Sequence, residues 1–239
     1  MLMTNTENDK DEKLWRYYQQ DASSVFSTTH SRHNKVYSKV VKYLSPHKKI
    51  LEIGFGDGYL LKKLVNKYTC CGADISSEVI KKAKEEMNCV DFMVMDITGK
   101  IPYPDNSFDG FIASEVLEHM DNEELAVCLK EAKRVLKKDG YLFITFPVEE
   151  DLRENQCFCP NCGEIFHKWG HKQRWSEIKI NEIFNNFKII SVDEFFAAYS
   201  GNNFKEKVLG YMMFIVRSML NKLVSISGKS YIVILKNNK

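Results

Sequence analysis

The segment Ile50–Leu61, reading ILEIGFGDGYLL, constrains this chain more than any other, because an apolar run closed by an acid and three alternating glycines leaves few folds open. Ile50, Leu51 and Ile53 have the continuity expected of a strand buried on both faces, as in a parallel sheet. Gly54, Gly56 and Gly58 then permit a tight turn and a close approach of backbone to ligand before a helix expected over Tyr59–Asn66. Strand, glycine turn and helix in that order form a cradle at the carboxyl edge of a sheet. The dinucleotide fingerprint needs its last glycine three residues after the second. Tyr59 stands there, so the spacing is G-x-G-x-G and a nicotinamide or flavin cofactor is disfavoured. An ordinary βα loop is the bland alternative, and the acids farther along the chain weaken it.

Two further acids stand where a nucleoside ligand needs them. Tyr68–Ile75 reads as a second strand ending in Asp74, twenty residues after Gly54, and an acid there can accept hydrogens from both ribose hydroxyls. Val90–Met95 is a third apolar run, ending in Asp96, whose carboxylate can take an adenine amino group while Ile97 packs beside the ring. Strand-end carboxylates also cap helices, but two in register favour the ligand.

With those residues in place, Glu52–Gly58, Asp74, Asp96 and Ser107–His119 (SFDGFIASEVLEH) resemble the class I S-adenosylmethionine-dependent methyltransferases over roughly 48–146. The resemblance implies that Glu52, Gly54, Phe55, Gly56, Gly58, Asp74, Ile75, Asp96, Ile97 and Ser114 line the cofactor, with Glu52 near the methionine ammonium group. It also implies that the acceptor enters at the end of the fourth strand, making Glu115, Glu118 and His119 the active-site rim. His119, or Glu118, is the expected general base, against the alternative that His119 only holds its loop by hydrogen bonds. Glu115, Glu118 and His119 are also similar to part of the E-x-x-E-H metal pattern of small-RNA 3′-terminal 2′-O-methyltransferases, a string that other methyltransferases carry without a metal.

Alternating strand and helix patterns predict an α/β fold, a Rossmann-like doubly wound seven-stranded sheet with helices on both faces and an antiparallel last strand. After an N-terminal helical region, Asp11–Leu44, the expected strands are Lys49–Ile53, Tyr68–Asp74, Val90–Asp96, Phe108–Ser114, Gly140–Phe146, Lys188–Phe195 and Ser230–Lys236. Helices are expected at Ser77–Met87, Asn122–Leu136 and Ser176–Phe184. The organisation is an N-terminal helical lid over residues 1–45 and a methyltransferase-like domain over 46–239. Two inserts interrupt that domain, a zinc-binding one at about 148–173 and an apolar helical one at about 203–227.

The first insert contains Cys157-Phe-Cys159-Pro-Asn-Cys162-Gly-Glu-Ile-Phe-His167-Lys-Trp-Gly-His171. Two residues separate Cys159 from Cys162, the spacing that lets both thiolates meet one Zn²⁺, and His167 and His171 complete a neutral tetrahedron able to replace a hydrophobic core. Cys157 is an alternative or auxiliary ligand, and unliganded thiols or a disulfide are the alternative to a metal. The C-x2-C-x4-H spacing also resembles a zinc knuckle, a module that contacts single-stranded RNA. Phe158, Phe166, Trp169, Lys168, Lys172 and Arg174 supply aromatic and basic neighbours for such a contact, although a miniature core around the metal is the favoured use. Lying after strand five, the insert is expected to wall the acceptor pocket.

The formal charge of +2 writes no extended nucleic-acid footprint into the chain. Cys70, Cys71, Cys89 and Cys128 fall in apolar patterns and are assigned to packing. A polar amino terminus and the absence of a disulfide framework point to a reducing cytoplasm. Trp15, Tyr17, Tyr18, Phe26, His30 and His33 suit a lid over the cofactor. Val208–Ile226 is apolar but interrupted by Arg217 and Lys222, so it predicts core or pocket lining rather than a membrane span, with an interfacial helix as the alternative. Together these features predict a methyltransferase acting on a small-molecule or sugar-containing acceptor. RNA or protein methylation, or a cofactor-binding regulator without transfer, are the other readings.

Overall fold

The computed structural model describes residues 13, 14, 17, 18, 30–196, 212, 216 and 229–239. Strands β1 (Lys49–Ile53), β2 (Thr69–Asp74), β3 (Asp91–Val94), β4 (Phe108–Ser114), β5 (Leu136–Pro147), β8 (Lys188–Phe196) and β9 (Lys229–Lys236) form one sheet. Its order is β3-β2-β1-β4-β5-β9-β8. The first five are parallel, and β9 runs antiparallel between β5 and β8. The near-continuous apolar runs have their cause here. Ile50, Leu51 and Ile53 are each almost fully buried because helices cover both faces of a parallel sheet.

Helices α1 (His30–Tyr43), α2 (Tyr59–Leu64) and α3 (Ser77–Glu86) supply Val36, Val40, Leu61, Leu64 and Ile80 to the core on one face. Helices α4 (Asn122–Val135) and α5 (Glu177–Ile183) supply Leu125, Cys128, Ala132, Val135 and Ile180 on the other. The helix starts are written locally. Ser76 accepts a hydrogen bond from the Val79 amide, and Asp121 and Glu124 form a reciprocal capping box. Cys70, Cys71 and Cys128 are buried free thiols, as their apolar settings predict, whereas Cys89 is exposed.

Between β5 and α5 the chain leaves the sheet and returns. A bridge between Val148 and Trp175, with the Glu149 amide donating to the Trp175 carbonyl at 2.9 Å, closes the base of this excursion. Trp175 is fully buried and stacked on Phe146 at 4.0 Å, which anchors the return. The excursion contains an antiparallel hairpin, β6 (Gln156–Phe158) with β7 (Ile165–His167). Among the described residues, no helix is long and apolar enough to cross a membrane. Trp15, Phe26 and the 208–226 segment, apart from Met212 and Val216, lie outside the described residues.

Candidate active site

Gly54, Gly56 and Gly58 carry φ of 58°, 57° and 68°, so the turn after β1 runs through left-handed backbone that glycine alone adopts without strain. Gly54 is also a point of close approach, since a Cβ built there would lie 2.7 Å from Cγ2 of Val116. Glu52, just before the turn, is 1% exposed, and its Oε2 has no hydrogen-bond partner. Burial pushes its carboxyl well above the ordinary carboxylate range, with Asp57 adding to the rise. Phe55 is buried against Phe92, ring centres 5.1 Å apart, and braces the turn.

The other expected cofactor residues lie along the same carboxyl edge. Asp74 ends β2, 6% exposed, and its Oδ1 accepts the Ser76 amide at 3.0 Å. Ile75 comes next, partly buried. Asp96 is exposed after β3, where its Oδ1 accepts both the amide and the hydroxyl of Thr98, at 2.8 and 2.7 Å. One oxygen of Asp96 therefore orders its own turn beside half-buried Ile97. The Ser114 hydroxyl lies 2.9 Å from the Thr145 hydroxyl of β5.

At the end of β4 the chain turns through Glu115, whose φ of 56° is unusual for a residue with a side chain. Its Oε2 lies 3.3 Å from Nη2 of Arg32 on α1, a partner that no sequence spacing announces. Glu118 is completely buried and neither carboxylate oxygen has a hydrogen-bond partner. Burial, then the neighbouring Glu115, raises its pKa well above the ordinary value. His119 points Nδ1 at the Gly170 carbonyl, 3.2 Å away. Burial, then His171, pulls its pKa down to about 3. Nδ1 thus faces the insert, as in the alternative that His119 holds its loop by hydrogen bonds.

The four expected zinc ligands do not meet. The hairpin pairs Phe158 with Ile165 and Gln156 with His167, which puts Cys159 and Cys162 at its tip and His167 at its base. At about 3.3 Å per strand residue, that separation is roughly 10 Å. Extended pairing along Ile165–His167 wins over a fold-back onto the thiols. Among the described residues, the two groups of metal-capable atoms lying within 4.8 Å of one another are Glu118–His119–His171 and Glu150–His167–His171, and neither contains a cysteine. The Cys159 thiol is drawn below its ordinary pKa by the backbone N–H groups of Cys162 and Asn161, and the Gly163 amide donates to the Cys159 carbonyl at 2.9 Å.

The insert is nevertheless seated on the β4 rim. The amides of Lys172 and Gln173 donate to the Glu118 carbonyl at 2.7 and 3.0 Å, and the Gln173 side chain donates to the Met120 carbonyl at 2.9 Å. Tyr18 packs on Trp169 and donates to the Lys168 carbonyl at 2.7 Å. Helix α1 reaches the glycine turn from the other side, with His30 stacked on Tyr59 at 3.8 Å and 2.8 Å from Asp57. Arg32 and Glu150 are the site residues that sequence reasoning missed. The only signal for Glu150 was its position just past β5.

Comparison with known proteins agrees with the fold. Residues 51–144 match the family described as a methyltransferase domain. An uncharacterized methyltransferase of Schizosaccharomyces pombe is 32% identical over 142 residues, covering 53% of this chain and 50% of the relative. The chain spans about half the length, or less, of the curated relatives it matches. Among solved structures, the 1,6-didemethyltoxoflavin-N1-methyltransferase of Burkholderia thailandensis, with 1,6-didemethyltoxoflavin and S-adenosylhomocysteine bound, superposes with a TM-score of 0.69. It is 11% identical and the match covers 100% of this chain and 92% of that one. The N-methyltransferase NodS of Bradyrhizobium japonicum gives 0.61 at 15% identity, covering 88% and 96%. The fold is that of the class I S-adenosylmethionine-dependent methyltransferases.

Proposed function

We propose that this chain, whose residues 51–144 form a methyltransferase domain, transfers a methyl group from S-adenosylmethionine to a small-molecule or sugar-containing acceptor. The observation that carries the reading is the buried Glu52 carboxyl, whose Oε2 has no hydrogen-bond partner, beside three left-handed glycines. A buried acid without a partner invites a cation, and the ammonium group of the methionine moiety supplies one. Asp74 accepts the ribose hydroxyls, and Asp96 and Ile97 border the adenine. The Burkholderia thailandensis enzyme holds a small molecule in the same fold, which supports a small acceptor here.

The reaction is an in-line displacement in which the acceptor heteroatom attacks the sulfonium methyl carbon and the thioether leaves. Holding the two in line supplies most of what the protein must contribute. The acceptor side is formed by Glu115, Glu118 and His119 with the insert, which acts as a substrate-side flap, while α1 is the cofactor lid. His119 serves to position the insert rather than to remove a proton.

Calorimetry tests the cofactor half of this reading. S-adenosylmethionine and S-adenosylhomocysteine should both bind. Asp74→Ala should weaken either by about 5- to 150-fold, the 1–3 kcal/mol expected when two hydroxyls lose their acceptor. Unchanged affinity in Asp74→Ala removes the ribose assignment. Incubation with metabolite pools and a search for products heavier by one methyl group tests the transfer, and binding of both ligands without any product favours a cofactor-binding regulator.

A further inference from the structure

The tip of the β6–β7 hairpin brings two thiols together. Antiparallel pairing ends at Phe158 with Ile165, which leaves residues 159–164 to make the turn. The Cys159 amide donates to the Glu164 carbonyl at 2.8 Å and closes the neck of the turn, while the Gly163 amide donates to the Cys159 carbonyl at 2.9 Å. The second bond is that of a single helical turn, in which residues three apart lie on the same side. Cys159 and Cys162 are three apart, and the Cys162 thiol hydrogen-bonds to the Cys159 sulfur. Gly163, at φ 74° and with nothing within 4 Å of a built Cβ, turns the chain back without covering the pair.

The surroundings suit exchange rather than packing. Cys162 is exposed and Cys159 half-buried, whereas Cys70, Cys71 and Cys128 are sealed in the core. The amides of Cys162 and Asn161 point at the Cys159 sulfur and favour its thiolate, an effect that the Glu164 charge offsets in part. Cys157 is directed elsewhere. It lies within the hairpin ladder opposite Phe166, close enough to Tyr18 for its charge to act on that hydroxyl. Among the described residues, neither group of metal-capable side chains includes a cysteine, so no third ligand stands by to complete a metal site with the two thiols.

We propose that Cys159 and Cys162 are a redox-active dithiol that closes to an intramolecular disulfide by exchange with a small disulfide. The Cys159 thiolate attacks one sulfur of the oxidant, whose S–S bond breaks, and the departing half takes up the proton that Cys159 gave to solvent. The Cys162 sulfur, losing its own proton, then attacks Cys159 in the mixed disulfide and expels the second half as a thiol. Two thiols of the protein are oxidised and one disulfide is reduced to two thiols. No step involves the glycine turn or the β4 rim, so this inference stands or falls apart from the proposed methyl transfer.

The test equilibrates the full chain, first reduced and treated with chelator, in oxygen-free buffers of reduced and oxidised glutathione at graded ratios. Acid quenching, alkylation and peptide mapping by mass spectrometry then read the product. The expected product is a chain lighter by two hydrogens, with Cys159 joined to Cys162, and excess dithiothreitol should reverse it. In Cys162→Ser the mixed disulfide with glutathione should accumulate at Cys159, because the resolving thiol is gone, while Cys89→Ser should oxidise as the wild type does. A wild-type chain that stays reduced across the whole series overturns the proposal. So does a disulfide through Cys157 or between two chains, or glutathione left attached to Cys159 or Cys162 of the wild type. A metal ion that the reduced chain retains on these cysteines through chelator overturns it as well. Peptide mapping of the wild type decides the matter even if a variant does not fold.

Discussion

Gly54→Ala should destabilise the protein for two reasons that the structure allows to be measured apart. A Cβ at φ 58° costs roughly 1–2 kcal/mol in left-handed backbone. The new methyl would also stand 2.7 Å from Cγ2 of Val116. That is well inside the carbon–carbon optimum of about 3.5–4.0 Å, and such overpacking adds about 1–3 kcal/mol. Gly163 provides the control, because its φ is 74° and nothing lies within 4 Å of its built Cβ. Gly163→Ala should show the backbone cost alone, and the gain from stiffening the unfolded chain is shared by both variants and cancels in the difference. Urea unfolding monitored by circular dichroism measures each, with unchanged m values as the check that only stability moved. Val116→Ala opens the space, so the double variant Gly54→Ala/Val116→Ala should be more stable than the sum of the single effects by about 1 kcal/mol, the signature of direct contact. If Gly54→Ala is no worse than Gly163→Ala, or the double variant is additive within about 0.5 kcal/mol, close packing against Val116 is not what makes Gly54 necessary. The contact joins the glycine turn after β1 to the turn after β4 that carries Glu118 and His119.

Trp175→Ala should cost about 3–5 kcal/mol in urea unfolding, since a fully buried ring stacked on Phe146 leaves a cavity where the insert rejoins the sheet, and a loss below about 1 kcal/mol would contradict that anchoring role. Ser76→Ala should cost about 1 kcal/mol through the lost cap on α3, checked in the same assay. His33 has its pKa pulled down to about 4 by burial, an effect Asp57 partly offsets and Arg32 and His30 reinforce. The unfolded chain takes this proton near pH 6.5 and the folded chain only near 4. Stability from neutral His33 is thus complete above 6.5 and declines as pH falls towards 4, by up to about 3 kcal/mol at 1.36 kcal/mol per pKa unit. Urea midpoints measured across that window should fall less steeply in His33→Gln than in the wild type, and parallel curves would refute the assignment.

Local pattern by itself determined the seven strands of the main sheet and the helices that cover it, but not the β6–β7 hairpin or the early start of β5 at Leu136. Phe108–Ser114 is buried at every residue but the last, Asp121 precedes a helical period, and the G-x-G-x-G turn admits few backbones, so each of these elements is dictated by neighbours a few residues away. The placement of the residues expected to hold the cofactor was legible for the same reason. Glu52, Gly54, Asp74 and Asp96 all sit at strand ends, and a parallel sheet must bring such ends to one edge. The surroundings of the turn after β4 were not. The partners that set the chemistry of Glu118 and His119 are Arg32 on α1 and Glu150 and His171 in the insert, joined to them by contacts far apart in the chain that no short-range period records. The cysteine and histidine spacing was compatible with one tetrahedron, but spacing limits only how far ligands can reach. Whether they meet was decided by strand pairing, which put Gln156 opposite His167 and drew the histidines away from the hairpin tip toward the rim of the sheet.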